Sequence, residues 1–318
     1  MFADQAWLPG PDPLVLLAAV ALDLCFGDPP NRFHPVAWFG RAVSPWIRVE
    51  EPTSGTAARD FVRGIVLVLV STLGFVALGC GIVALTRPWP LLSFVAQVLV
   101  LKSAFAIRGL GAAGSVTESA LRRGNLEQAR HSLRSLCSRD PSSLGPSEIA
   151  ASAVESVAEN ASDSAVAPFL FYALGGLPGV LAYRAVNTLD AMVGYRGRFE
   201  FFGKAAARLD DVLNWIPARL CAALLLVVGR LRGADWLRGW AVMRRDAATT
   251  PSPNAGRPMA AMAGLLGVRL TKRGVYALGD PTRPTGPDEI AQAWNIARDA
   301  ILATALLVCL ALRLGASA

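Results

Sequence analysis

Three groups of polar residues stand out in a chain that is otherwise poor in charge. The first lies between Glu148 and Asp163. Glu155, Glu159 and Asp163 recur every fourth residue, so a helix would carry them on one stripe, with Ser152, Ser156 and Asn160 beside them. Like charges at this spacing destabilise an isolated helix by about 0.2–0.5 kcal/mol per pair. A cation should compensate them, either an arginine or Mg²⁺ with its preference for oxygen ligands. A solvated helix face is the blander alternative. The second group is Tyr183, Asn187 and Asp190, with Asn187 and Asp190 on one helical face. The third is Lys204, Arg208, Asp210, Asp211 and Asn214. By itself it reads as an ion-paired surface helix. Beside the other two it suggests a site that grips phosphate through Lys and Arg and a metal through carboxylates.

Two loops add to this set. Gly27-Asp28-Pro29-Pro30 leads to His34-Pro35 and Gly40-Arg41, and its prolines and glycines suit a rigid loop at a membrane edge. Pro251-Ser252-Pro253-Asn254-Ala255-Gly256 is a turn suited to presenting Asn254 or backbone N–H groups to a ligand. Gly109-Leu110-Gly111-Ala112-Ala113-Gly114 fits G-x-G-x-x-G, but it follows a long apolar helix and no βαβ pattern surrounds it. It is discounted as a nucleotide loop. There is no G-x-x-x-x-G-K-[ST] stretch.

The elements that must position these residues are apolar. Of 318 residues 53% are hydrophobic and only 17% charged, below the roughly 25% of soluble domains. The mean hydropathy is +0.41, which points to a multi-pass membrane protein and excludes intrinsic disorder. Ile65–Leu85 holds no charge and is the clearest span. Leu14–Phe26 with Trp7–Pro13, Pro90–Ile107 (its Lys102 snorkelling near the end), Phe169–Val186, Ile216–Val228 and Ala300–Leu312 are further apolar segments. The fold class expected is all-α, a polytopic helical membrane protein with about 4–6 membrane segments. It would form a single membrane-embedded catalytic domain over residues 1–318, with polar loop regions at 27–63, 108–163, 184–213 and 230–298. No strand-rich stretch is visible.

Those four regions carry five, six, five and eleven Lys and Arg, whereas the N-terminal segment carries none and lacks the positive start of a signal peptide. The positive-inside rule places the basic loops in the cytoplasm and the N-terminus outside. The segments 169–186, broken by Gly175-Gly176-Leu177-Pro178-Gly179, and 216–228 are then buried or re-entrant. Residues 234–248 set Trp236, Trp240 and Met243 on one face, a pattern for a helix lying in the membrane interface. The net charge of +7 is read as membrane-edge arginine, not as a nucleic-acid surface. Five separated cysteines and two histidines support neither a disulfide framework, a zinc site nor a His-rich metal site.

Taken in order, LDLCFGDPPNRFHPVAWFGR, SRD at 138–140, ESVAENASDSAVAPF, YRAVNTLDAMVGY, ARLDDVLNWIPARL and PSPNAG resemble the CobD/CbiB family of cobalamin biosynthesis. The similarity runs from about residue 14 to 270. It implies an integral membrane enzyme, an adenosylcobinamide-phosphate synthase. Such an enzyme joins adenosylcobyric acid to (R)-1-amino-2-propanol or its phosphate in an ATP-dependent amide ligation.

The matched residues would divide the work. Glu155, Glu159 and Asp163 would bind Mg²⁺, and Asp190, Asp210 and Asp211 would complete the metal site or deprotonate the amine. Asp28, His34, Arg41, Arg139, Asn160, Asn187, Lys204, Arg208, Asn214, Arg219 and Asn254 would hold substrate and phosphate. ATP and Mg²⁺ are the expected cofactors. The partners expected are the two substrates, the lipid bilayer and other corrinoid-pathway membrane enzymes, with no nucleic acid. The place expected is the inner cell membrane, with the site facing the cytoplasm. The chain departs from the family pattern at Ala161, Ser162 and Ser164, at Lys204, and at Arg257 and Met259. A non-enzymatic corrinoid-binding chaperone or regulator, or a transporter, are the alternative readings.

Overall fold

The computed structural model describes residues 10–47, 56–137, 140–281 and 283–315. Thirteen α-helices carry the described residues: α1 Pro13–Phe26, α2 Pro35–Val43, α3 Ala57–Thr86, α4 Pro90–Lys102, α5 Arg108–Arg122, α6 Leu126–Leu133, α7 Pro146–Ala161, α8 Ala167–Val193, α9 Lys204–Leu213, α10 Trp215–Leu231, α11 Trp236–Asp246, α12 Gly256–Leu266 and α13 Pro287–Gly315. A π-turn, Ser162–Val166, joins α7 to α8. The all-α expectation holds, with one small exception. Two three-residue strands, β1 Leu270–Lys272 and β2 Tyr276–Leu278, form an antiparallel hairpin that sequence reading missed.

Among the described residues three helical segments are long and apolar enough to cross a membrane: Ala57–Thr86, Pro146–Val193 and Pro287–Gly315. The pair α9 and α10 makes a fourth if counted as one broken span. This is an all-α membrane protein. Its spans sit at the low end of the number expected, because α1 and α4 are short apolar helices of 14 and 13 residues. Residues 7–9 of the expected first span lie outside the described residues. The last span is longer than expected. Its first turns carry Asp288 and Glu289, which hid them from a search for apolar runs.

The chain divides into two compact units. Unit 1 comprises Met1–Ala106, Ala167–Leu213 and Ala305–Ala318. In it α3 packs on α8, α4 and α9, and α1 packs on α4. Only 17% of the apolar window of α3 is buried, so Val66, Leu69, Val70 and Leu73 face outward, as a lipid-facing helix requires. Glycines set the close approaches. A Cβ on Gly64 would lie 1.9 Å from the Phe202 carbonyl oxygen, and one on Gly79 would lie 2.8 Å from Pro178. The expected break in Phe169–Val186 is present: Gly175 and Gly176 leave helical geometry, and Gly176 takes φ +58°, which a side chain disfavours. Val43, Val68, Leu189, Val193, Phe202 and Ala206 form a core between α2, α3, α8 and α9.

Unit 2 comprises Ile107–Val166 and Asn214–Thr304. Here α12 is nearly surrounded, packing on α7, α10 and α11, and its residues from Pro258 to Leu266 are all buried. The G-x-G-x-x-G glycines lie inside α5, where Gly111 packs on the Trp294 ring and Gly114 faces Val157 and Ile290. They are helix-packing residues. The helix expected at 234–248 is α11. It buries Gly239, Val242 and Met243 and leaves Leu237, Trp240 and Trp236 exposed, with Arg244 over the Trp240 ring and Arg230 over Trp236.

Candidate functional site

The candidate residues fall in both units.

In unit 2, α7 starts at Pro146, with Glu148 Oε2 accepting from the Gly145 backbone N–H at 2.9 Å. Glu155 lies buried in this helix, and its Oε1 accepts from the Tyr276 hydroxyl at 2.8 Å. Arg273 on the same hairpin binds Glu148 Oε1 through Nε and Nη2. Glu159 is half-buried one turn further on. Asp163, also half-buried, lies in the π-turn, so the expected stripe of regular α spacing ends at Ala161. A π-turn shifts the hydrogen-bond register and re-aims the residues it carries, which is why such turns recur at functional sites. Asn160 donates to the Ser156 carbonyl at 2.9 Å and accepts from Ser164 at 3.2 Å, bridging the turn before and the turn after. Among the described residues no three His, Cys, Asp or Glu side chains are grouped to hold a metal ion.

Helix α10 packs against the π-turn and against α12. On it Arg219 stacks on Trp215 at 4.0 Å, donates to the Trp215 carbonyl at 2.7 Å and to Asn254 Oδ1 at 3.3 Å. The 251–256 turn thus does present Asn254, but inward, at 4% exposure. Its backbone does not serve as an anion cradle: the N–H groups of Asn254 and Ala255 both donate to Ser252 Oγ. Asn214 is buried at the start of α10.

In unit 1 the structure joins two motifs that are 23 positions apart. Arg184 Nη1 donates to Asn187 Oδ1 at 3.0 Å, and Asn187 Nδ2 donates to Asp210 Oδ1 at 3.3 Å. The Arg184 bond fixes the amide orientation, leaving the NH₂ to face the carboxylate. Asp190 and Asp211 are half-buried, and Lys204 and Arg208 are exposed on α9. Two glycines shape this face. A Cβ on Gly194 would fall 2.0 Å from Asp190 Oδ1, and one on Gly203 would fall 1.7 Å from the Val193 carbonyl oxygen.

The first loop forms a further charged cluster in unit 1. His34 caps α2, with Nδ1 accepting from Val36 N–H at 3.2 Å, so its neutral form carries the proton on Nε2. That atom faces Asp28 Oδ1 at 3.7 Å. Lys102 Nζ lies 2.5 Å from Asp28 Oδ1 and 3.3 Å from the fully buried Asp23 Oδ1. Lys102 therefore does not snorkel. It is buried, because two carboxylates neutralise it inside the protein. Burial pushes the Asp28 carboxyl up, but hydrogen bonds from His34 and Lys102 outweigh it and hold Asp28 below the ordinary aspartate range. Arg41 is exposed on the last turn of α2. Arg139 lies outside the described residues.

Sequence reading missed Tyr276, Arg184, Lys102 and Asp23 as site-forming residues. A signal existed for two of them. Asp23 and Lys102 are lone charges in otherwise apolar helices, and such charges seek each other. Tyr276 and Arg184 carried no such mark.

Comparison with known proteins gives a consistent picture. The family described as "CobD/Cbib protein" matches residues 16–303. The chain is 44% identical over 279 residues to the "Cobalamin biosynthesis protein CobD" of Dehalococcoides mccartyi (strain CBDB1), covering 87% of this chain and 90% of that protein. It is 41% identical over 268 residues to the "Probable cobalamin biosynthesis protein CobD" of Methanothermobacter thermautotrophicus, covering 84% and 86%. The Mycobacterium tuberculosis (H37Rv) protein named "Cobalamin biosynthesis protein CobD" is 43% identical over 277 residues, covering 84% and 80%. No solved structure matches. The matched region includes every candidate residue from Asp28 to Asn254, and the chain belongs to the CobD/CbiB family of cobalamin biosynthesis proteins.

Proposed function

We propose that this protein is an ATP-dependent amide ligase joining adenosylcobyric acid to (R)-1-amino-2-propanol or its phosphate. The observation that carries the reading is that half-buried carboxylates and an arginine lie on elements packed against each other in unit 2. Glu159 lies in the last turn of α7 and Asp163 in the π-turn that follows, and α10, which bears Arg219, packs directly on that π-turn. Family membership selects the substrates.

Ligation of a carboxylate to an amine needs an activated acyl group, a free amine lone pair and control of phosphate charge. ATP supplies the phosphoryl group that activates the carboxylate, and Mg²⁺ neutralises its charge. Mg²⁺ keeps several waters and takes one or two carboxylates plus phosphate oxygens. Glu159 and Asp163 fit that demand without a closed three-carboxylate cage. Glu155, held by Tyr276, braces the stripe from behind. Arg219 orients phosphate oxygens, and the exposed Arg208 and Lys204 draw in anionic substrate. Within unit 1, Asp190, the Asn187-held Asp210 and Asp211 are the candidate bases for the proton of the attacking ammonium. The nitrogen then bonds to the acyl carbon as phosphate leaves.

Glu159→Ala and Asp190→Ala should each abolish ATP-dependent amide formation while the protein keeps its thermal transition. Full ligation by both variants would overturn this site. The setting proposed is the inner cell membrane with the site facing the cytoplasm, alongside other corrinoid-pathway membrane enzymes. A cysteine at position 200 should label from the cytoplasmic side, and labelling only from outside would contradict it.

A further inference from the structure

We propose that Arg219 and Arg257, with Asn254 between them, form an anion cradle in unit 2 that takes a phosphate or phosphoanhydride group. Arg257 lies outside the set of site residues read from the sequence. Several other arginines of this unit are neutralised: Arg232 contacts Asp299, Arg245 contacts Asp246 and Asp280, and Arg283 contacts Glu289. Among the described residues no carboxylate lies within ion-pair distance of Arg219 or Arg257. Instead Asn254 links the two: Arg219 Nη1 donates to its Oδ1 at 3.3 Å and the Arg257 backbone N–H donates to its carbonyl at 2.9 Å, and the charge of Arg257 acts on Arg219. Two like charges held together without a counter-ion are unfavourable, and an anion between them removes the conflict.

The donors make the same point. Arg257 Nε is buried and makes no hydrogen bond among the described residues. A buried donor without a partner costs about 1–3 kcal/mol, more when charged. Arg219 spends Nη1 on the Trp215 carbonyl and on Asn254, and the Trp215 ring fixes its plane. Its other edge, Nε–H and Nη2, makes no bond to the described residues. A guanidinium held by one corner, with a planar pair of donors left over, is pre-organised for bidentate contact with phosphate. The backbone reinforces this placement. Gly256 packs so tightly that a Cβ would lie 2.1 Å from the Ala247 carbonyl oxygen, which seats Arg257 one turn after Asn254. Assigning the anion to a nucleotide rests on the ligase reading above, whereas the cradle itself does not.

The test uses the full chain in phosphatidylcholine nanodiscs, titrated calorimetrically with inorganic pyrophosphate and with the non-hydrolysable analogue AMP-PNP. Arg219→Gln and Arg257→Gln should each weaken both ligands by about tenfold or more. Arg244→Gln, on the outer face of α11, should change neither. A wild-type measurement covers variants that fail to fold: pyrophosphate should protect Arg219 and Arg257 from phenylglyoxal, read by peptide mass spectrometry. Unchanged affinities in both variants, or no protection at either arginine, would overturn the cradle. Displacement of pyrophosphate by phosphatidylglycerol in the nanodisc, with none by AMP-PNP, would assign it to a lipid headgroup and overturn the nucleotide reading. Pyrophosphate binding without amide formation would defeat the ligase and leave the cradle standing. Amide formation with unaltered phosphate affinity in the variants would do the reverse.

Discussion

The Tyr276 hydroxyl donates to Glu155 Oε1 at 2.8 Å, tying the β-hairpin to the buried carboxylate of α7 across 121 positions. Removing that hydroxyl takes a donor from a buried acid. Tyr276→Phe should therefore lower stability by about 1–2 kcal/mol, read as a lower thermal midpoint in detergent. It should also reduce ligation, because Glu155 braces the stripe that ends in Glu159. An unchanged midpoint would contradict this role.

Lys102 is the cation for two carboxylates, one of them fully buried. Lys102→Met strands Asp23 in the interior. Breaking a buried pair by removing one partner costs roughly 3–5 kcal/mol, so the variant should unfold well below wild type. Lys102→Met together with Asp23→Asn should recover part of the loss, since the stranded charge goes with it. No recovery in the double variant would argue against the pairing.

The depressed Asp28 carboxyl has a definite pH signature. A group whose folded value lies below its unfolded value adds stability above the unfolded value, and that stability is lost as pH falls through the folded one. The difference in stability between wild type and Asp28→Asn should be constant above about pH 5 and shrink below about pH 4, the ordinary aspartate value. Denaturant titrations between pH 2.5 and 6 measure it. A difference that grew on acidification would reverse the assigned shift.

Gly194 leaves room for the Asp190 carboxylate. Gly194→Ala should displace that carboxylate and lower ligation by at least about tenfold, as a misplacement near 1 Å can do. The loss of thermal stability should be modest, because the position closes a helix and is not in the core. Wild-type ligation by this variant would remove Asp190 from the reaction.

Much of the fold was legible because lipid-facing helices are long and uncharged. Ile65–Leu85 stands out on that ground and lies within α3. The Gly-Gly-Leu-Pro-Gly break was legible too, since glycine and proline act on the backbone locally. Lys102 was misread because its partners Asp23 and Asp28 lie more than 70 positions away. The π-turn at Asp163 was hidden for another reason: it is a change of hydrogen-bond register and needs no distinctive residue. The start of α13 was masked by its acids. In the candidate site, Asn187 and Asp210 were both singled out as chemically able, but only the packing of α9 on α8 brings them together. Arg257 was noted as a departure, while its missing counter-ion became visible only in three dimensions.

The central claim is that this protein makes an amide at the expense of ATP. Purified full-length protein in nanodiscs, given adenosylcobyric acid, Mg²⁺, ATP and aminopropanol or its phosphate, tests it directly. The account predicts an amide-linked corrinoid formed together with an equal amount of ADP, with neither appearing when the amine or ATP is withheld. Corrinoid binding without nucleotide hydrolysis or amide product would contradict it.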